Sequence, residues 1–161
     1  MRRFSATGHL PDQFQITLRK MTIAVDFDGT IVRHRYPEIG PEIPFAIDTL
    51  KLLRSENHRL ILWTVREGRL LDEAVEYCRR RGLDFYAVNS NYPEEKSSHA
   101  GYSRKICADL YIDDRNIGGI PDWGTIYNMI HGSGSASEAG TEHRDSGSCH
   151  KKLSFFFKRL K

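Results

Sequence analysis

The chain alternates short, wholly apolar runs with longer stretches in which apolar residues recur every three or four positions. The short runs are Ile23-Ala24-Val25, Leu60-Ile61-Leu62-Trp63, Phe85-Tyr86-Ala87-Val88 and Leu110-Tyr111-Ile112. Runs this short, apolar at consecutive positions, predict strands buried on both faces. Between the first two, Phe45, Ala46, Leu50 and Leu53 follow Pro44 at helical spacing, and proline suits a first helical turn. Leu70, Leu71, Ala74, Val75 and Cys78 repeat the pattern and run into Arg79-Arg80-Arg81-Gly82. Cations and then a glycine favour a helix C-terminus. A last short helix is expected over 122–130. Strand and helix in alternation predict an α/β domain over 21–131, a three-layer, Rossmann-like parallel sheet with helices on both faces.

The two ends break the alternation. Residues 1–20 show no periodicity and read as an extension, and Met21, directly before the first strand, is left open as the true start. Residues 132–161 open with Gly132-Ser133-Gly134-Ser135-Ala136-Ser137 and stay rich in Gly, Ser, His and charge down to His150. That composition buries too little apolar surface to offset the entropy of ordering, so the tail is predicted to be disordered. It closes on a basic-aromatic tip, Phe155-Phe156-Phe157-Lys158-Arg159-Leu160-Lys161.

Charge divides the same way. The whole chain carries +3, but residues 1–20 and 132–161 hold +3 each, which leaves 21–131 at −3. The predicted domain is therefore acidic, which argues against nucleic acid as its partner. With 161 residues the chain has room for one domain of ordinary size. No apolar run approaches the roughly 20 residues of a membrane span, and polar Ser5, Thr7, His9, Asp12 and Gln13 leave no signal-peptide core. Three scattered cysteines, Cys78, Cys107 and Cys149, suggest thiols in a reducing compartment and a cytoplasmic location.

Polar residues end three of the four predicted strands. Asp26-Phe27-Asp28-Gly29-Thr30 follows the first, Thr64 the second, and Asp113-Asp114 the fourth. Parallel sheets bind ligands at the carboxyl ends of their strands, so these residues are expected to converge on one site. Asp26 and Asp28 would face opposite ways in a regular strand, and the chain can turn after Asp26 because Gly29 supplies the conformational freedom. His34, His58, His99 and His131 show no metal-ligand spacing.

Asp26-x-Asp28-x-Thr30 after an apolar strand, a threonine after the second strand, and Tyr111-Ile112-Asp113-Asp114-Arg115 together resemble the motifs of the haloacid dehalogenase (HAD) superfamily. The resemblance spans 22–130. It implies a phosphatase that works through an aspartyl-phosphate, with Asp26 as nucleophile and Asp28 as general acid and then base. A carboxylate attacking a phosphate dianion meets repulsion of about 4 kcal/mol per charge pair at about 4 Å. The resemblance answers this with Mg2+, an ion that prefers oxygen ligands. Its expected ligands are the Asp26 carboxylate, the Asp28 backbone carbonyl and the Asp114 carboxylate, with Asp113 and Thr30 supporting them from behind. Asp113 and Asp114 are interchangeable at this level of reading. Thr64 is expected to hydrogen-bond the phosphoryl group through its hydroxyl and its backbone N–H. Lys105 is expected to pair the nucleophile with the phosphate, with Lys96 as the rival. Arg33 follows the first motif in a flap, and Arg66 is placed to reach a second anionic group on the substrate.

Only 13 residues lie between Thr30 and Pro44, and 40 between Thr64 and Lys105. Neither insertion holds a folded cap, so the site is expected to be open, or covered by a second subunit of a homo-oligomer. The substrate class is a phosphorylated small molecule or macromolecule. Two rival functions stay in view, a nucleic-acid 3′-end phosphatase and a metal-binding regulatory module of the same fold without turnover.

Overall fold

The structure, a computed structural model, describes residues 19–99 and 102–132. The readings of the N-terminal extension to residue 18 and of the tail from 133 lie outside the described residues. The elements run β1 (Thr22–Val25), α1 (Ala46–Ser55), β2 (Arg59–Leu62), α2 (Gly68–Arg79), β3 (Ala87–Val88), β4 (Leu110–Ile112) and α3 (Trp123–Gly132).

All four predicted strands form one parallel sheet in the order β3-β2-β1-β4. In its central pairings Ile23 stands opposite Leu60 and Leu110, and Val25 opposite Leu62 and Ile112. The third strand is shorter than the apolar run 85–88, although the Tyr86 N–H still donates to the Leu60 carbonyl at 2.8 Å. Helix α1 starts at Ala46, two residues after Pro44, because Phe45 sits in the left-handed region (φ 67°) and acts as its N-cap. Helix α2 starts at Gly68, ahead of its first apolar residue.

The parallel α/β sheet agrees with the sequence reading, but the covering of its faces differs. On one face Ile23, Val25, Leu60, Leu62 and Ile112 are buried against Leu50 and Leu53 of α1, Ala74 and Cys78 of α2, and Trp123 and Ile126 of α3. On the other, Ala24, Ile61 and Ala87 are buried against Ile106, which belongs to the connection between β3 and β4. Among the described residues, then, all three helices share one face. Right-handed crossovers account for this. Steps β1→β2 and β2→β3 move in the same direction and put α1 and α2 on one side. The step β3→β4 returns past two strands over the other side, and its sequence offers polar residues and Pro93 in place of a helical repeat.

No described helix is long and apolar enough to cross a membrane. Cys78 is a free, buried thiol, and burial pushes it up to about 12. Cys107 is disulfide-bonded, which corrects the all-thiol expectation.

Candidate functional site

Parallel pairing brings four strand ends to one edge of the sheet, and three of the expected residues meet there. Asp26 leaves β1 with its N–H still donating to the Ile112 carbonyl at 3.0 Å, while Asp113 and Asp114 follow β4 directly. One carboxylate oxygen from each of Asp26, Asp113 and Asp114 lies within 4.8 Å of the other two.

The turn after Asp26 sets this geometry. The Ile31 and Val32 N–H groups both donate to the Phe27 carbonyl, and Gly29 N–H donates to Val32 at 2.7 Å. Gly29 holds φ at 97°, and a Cβ there would lie 2.3 Å from an Asp114 carboxylate oxygen. Two requirements, left-handed backbone and close approach, both demand glycine. Thr30 is fully buried, and its hydroxyl accepts the Asp114 N–H at 3.1 Å. The indole N–H of buried Trp123 donates to the Thr30 carbonyl at 3.2 Å, so the last helix holds this loop from behind. Asp113 Oδ1 accepts the Arg115 N–H at 2.8 Å. Thr30 supports Asp114 from behind the loop, whereas the Asp113 carboxylate lies in the cluster itself beside those of Asp26 and Asp114.

Three carboxylates this close disfavour one another's ionisation. Burial pushes the Asp26 carboxyl up to about 7; a hydrogen bond from the Phe27 N–H opposes that rise, and the charges of Asp113, Asp114 and Asp28 add to it. Asp114 Oδ1 is buried with no hydrogen-bond partner. A buried, unpartnered carboxylate oxygen inside a group of three suits a cation. The donors are all oxygens, which fits a hard divalent ion such as Mg2+. The Asp28 carbonyl receives none of the loop's backbone hydrogen bonds and is available as an oxygen donor in the same turn.

The Asp28 side chain is elsewhere. Its carboxylate, 7% exposed, takes two hydrogen bonds from Arg66, Nε to Oδ2 and Nη2 to Oδ1, both at 2.7 Å. Arg66 is fully buried, and it also donates to the carbonyls of Pro37 and Glu38 at 2.9 Å each. Its guanidinium lies over the rings of Phe27 and Tyr36 at 5.2 and 5.3 Å. This corrects the reading of Arg66 as a contact for substrate, because every face of the group is engaged inside the protein. Arg66 joins the first loop, the flap and the turn after β2 in one buried junction.

The remaining expected residues are more loosely placed. The Thr64 N–H, expected to face a phosphoryl group, donates to Asn89 Oδ1 at 2.8 Å. The Thr64 hydroxyl accepts the Arg66 N–H at 3.3 Å and keeps its own proton for a ligand. Lys105 is exposed, with its ammonium 5.7 Å from the Tyr111 ring centre, and neither it nor exposed Lys96 pairs with Asp26. Arg33 is exposed on the flap, where its N–H donates to the Pro41 carbonyl at 2.8 Å. It lines an open cavity of about 540 Å³ with Gly29, His34 and Ile43.

Two participants escaped the sequence reading. Asn89 anchors Thr64 from a left-handed position (φ 47°) after β3, and an asparagine directly after an apolar strand was the available signal. Arg115 was legible only as part of the acidic motif, yet its Nη2 meets His34 Nε2 at 3.2 Å.

No protein-family model matches the chain, and no curated protein does. Among solved structures, a conserved protein from Bacteroides thetaiotaomicron is 67% identical, with a TM-score of 0.67. The match covers 74% of this chain and 99% of that one. At that identity, over nearly the whole of the relative, this chain belongs to the same family as the conserved Bacteroides thetaiotaomicron protein.

Proposed function

We propose that this chain is a Mg2+-dependent phosphatase of the HAD type, acting on a phosphate monoester through an aspartyl-phosphate at Asp26. The observation that carries the reading is the trio Asp26, Asp113 and Asp114, three carboxylates within 4.8 Å at the carboxyl ends of β1 and β4, beside an open cavity. Asp26, Asp114 and the Asp28 carbonyl would hold the metal, which when bound supplies charge neutralisation between the nucleophile and the phosphate.

The chain's own residues then divide the work. An Asp26 carboxylate oxygen forms a bond to phosphorus as the ester P–O bond breaks, and the leaving oxygen takes a proton. Water attacks the phosphorus of the aspartyl-phosphate and gives up a proton, which releases phosphate and restores the carboxylate. Splitting the reaction in this way replaces one difficult step by two easier ones. Asp28 is the proton carrier in this reading, and Arg66 governs it. Paired bidentately, Asp28 is an acceptor, the form that takes a proton from water. Delivering a proton to the leaving oxygen requires the pair to open. The Thr64 hydroxyl, which keeps its proton, is the donor this reading assigns to the transferring group.

The same pair favours the second reading, a metal-binding module without turnover, because both Asp28 oxygens are engaged. A panel of phosphorylated metabolites, phosphopeptides and 3′-phosphorylated oligonucleotides, assayed with Mg2+ and with excess chelator, separates the two. Mg2+-dependent release of phosphate from any class supports the phosphatase. Mg2+ binding with no release from any of them supports the module.

A further inference from the structure

Many of the described arginines are partnered inside the protein. Arg54 pairs with Asp84, Arg69 with Glu73, Arg79 and Arg80 with Glu76, and Arg81 with Glu42. Arg66 is held by Asp28, and Arg59 lies over the Tyr86 ring at 5.0 Å. By contrast, among the described residues no carboxylate lies within ion-pair distance of Arg33, Arg35, Arg104 or Arg115; of these, Arg33 lines the cavity and Arg115 meets His34, which lines it too. Arg33 projects from the flap and lines the cavity with Gly29, His34 and Ile43. Gly29, which also lines the cavity, abuts Asp114: a Cβ built on it would lie 2.3 Å from an Asp114 carboxylate oxygen. Arg115 reaches the same cavity residue His34, with its Nη2 at 3.2 Å from His34 Nε2. A guanidinium can only donate, so His34 Nε2 is the acceptor, and this contact leaves the remaining Arg115 N–H groups for another ligand.

The cationic side chains thus belong to the flap after the first loop and to the residue after Asp114, separate from Asp26, the carboxylate proposed to take the reacting phosphoryl group. Guanidinium groups match the planar, multi-oxygen geometry of carboxylate and phosphate. We propose that Arg33, His34 and Arg115 form a recognition site for a second anionic group, so that the substrate is a phosphate monoester also bearing a carboxylate or a second phosphate. The assignment of a substrate rests on the phosphatase reading above; the anion site itself does not. This is the role the sequence suggested for Arg66, carried instead by residues that face solvent.

Calorimetry on the full chain with Mg2+ tests this without turnover, using an alkylphosphonate and the same alkylphosphonate ending in a carboxylate. The carboxylate-bearing compound is expected to bind about tenfold tighter or more, the contribution of one charge-assisted hydrogen bond. Arg33→Ala and Arg115→Ala should each erode that preference severalfold, and the double variant should abolish it. Arg54→Ala, remote and exposed, should leave it intact. Thermal midpoints of all variants report whether they fold. Equal affinity for the two compounds overturns the proposal, as does a preference that survives the double variant or no binding of either compound. If the preference is present but no ester is hydrolysed, the anion site stands and the phosphatase reading falls.

Discussion

Removing the Arg66 side chain is the perturbation whose cost the structure defines most sharply. Arg66→Met keeps much of the apolar stem and deletes the guanidinium, so Asp28 loses both hydrogen bonds at 2.7 Å while remaining 7% exposed. Breaking a buried pair from one side leaves an uncompensated charge and costs about 3–5 kcal/mol. The Pro37 and Glu38 carbonyls also lose a donor, but both residues are exposed and water can replace it. At about 4–8 °C per kcal/mol for a domain near this size, the thermal midpoint should fall by at least about 12 °C. Arg66→Lys should recover part of the loss, because it restores charge without the bidentate fork. Asp28→Asn/Arg66→Met should recover at least half, because a pair removed from both sides leaves no buried charge. Arg69→Ala, which breaks an exposed pair with Glu73, is the control and should cost under about 1 kcal/mol. Denaturant and thermal unfolding of these five proteins and of Asp28→Asn alone give the double-mutant cycle. A loss below about 1 kcal/mol for Arg66→Met, or a double variant no more stable than it, would refute the junction.

The Asp26 carboxyl, raised to about 7, holds a proton that the unfolded chain gives up near 3.8. Stability of the metal-free protein should therefore fall as pH rises across that window and level off above it, with Mg2+ flattening the slope. Unfolding midpoints from pH 4 to 8, with and without the ion, check the sign. Mg2+ binding should likewise weaken about tenfold per pH unit below about 7 as one proton is displaced, read by calorimetry in buffers of different ionisation enthalpy. Gly29→Ala should lower Mg2+ affinity at least about tenfold, since its Cβ would stand 2.3 Å from an Asp114 oxygen at a backbone angle alanine resists; a metal titration of the folded variant decides it. Cys78, buried and raised to about 12, should resist thiol reagents until the protein unfolds, whichever compartment it occupies.

The sheet was legible because each strand is an unbroken apolar run, and the carboxylate cluster was legible because Asp26 and Asp113-Asp114 each follow one directly. What the sequence hid was anything set by the path of the chain between strands. Arg66 lies two residues after Thr64, so proximity along the chain suggested a ligand contact. Its partner lies 38 residues away, across a junction that forms only when the flap folds back. The second face of the sheet was misjudged for a related reason. Alternation of strands and helices fixes the fold class, but the side each helix takes depends on strand order, which periodicity does not encode. Helix α1 starts late because Phe45 adopts a left-handed angle that apolar spacing cannot reveal.

The most direct test of the phosphatase account is to look for the phosphoryl group on the protein. The full chain is mixed with a phosphate monoester and Mg2+, quenched in acid within one turnover, digested and weighed by mass spectrometry. The account requires one phosphoryl group on the peptide that contains Asp26, absent with excess chelator and absent in Asp26→Asn, which should also lose turnover. Mg2+-dependent turnover that persists in Asp26→Asn, or a phosphoryl group on any other residue, would contradict it.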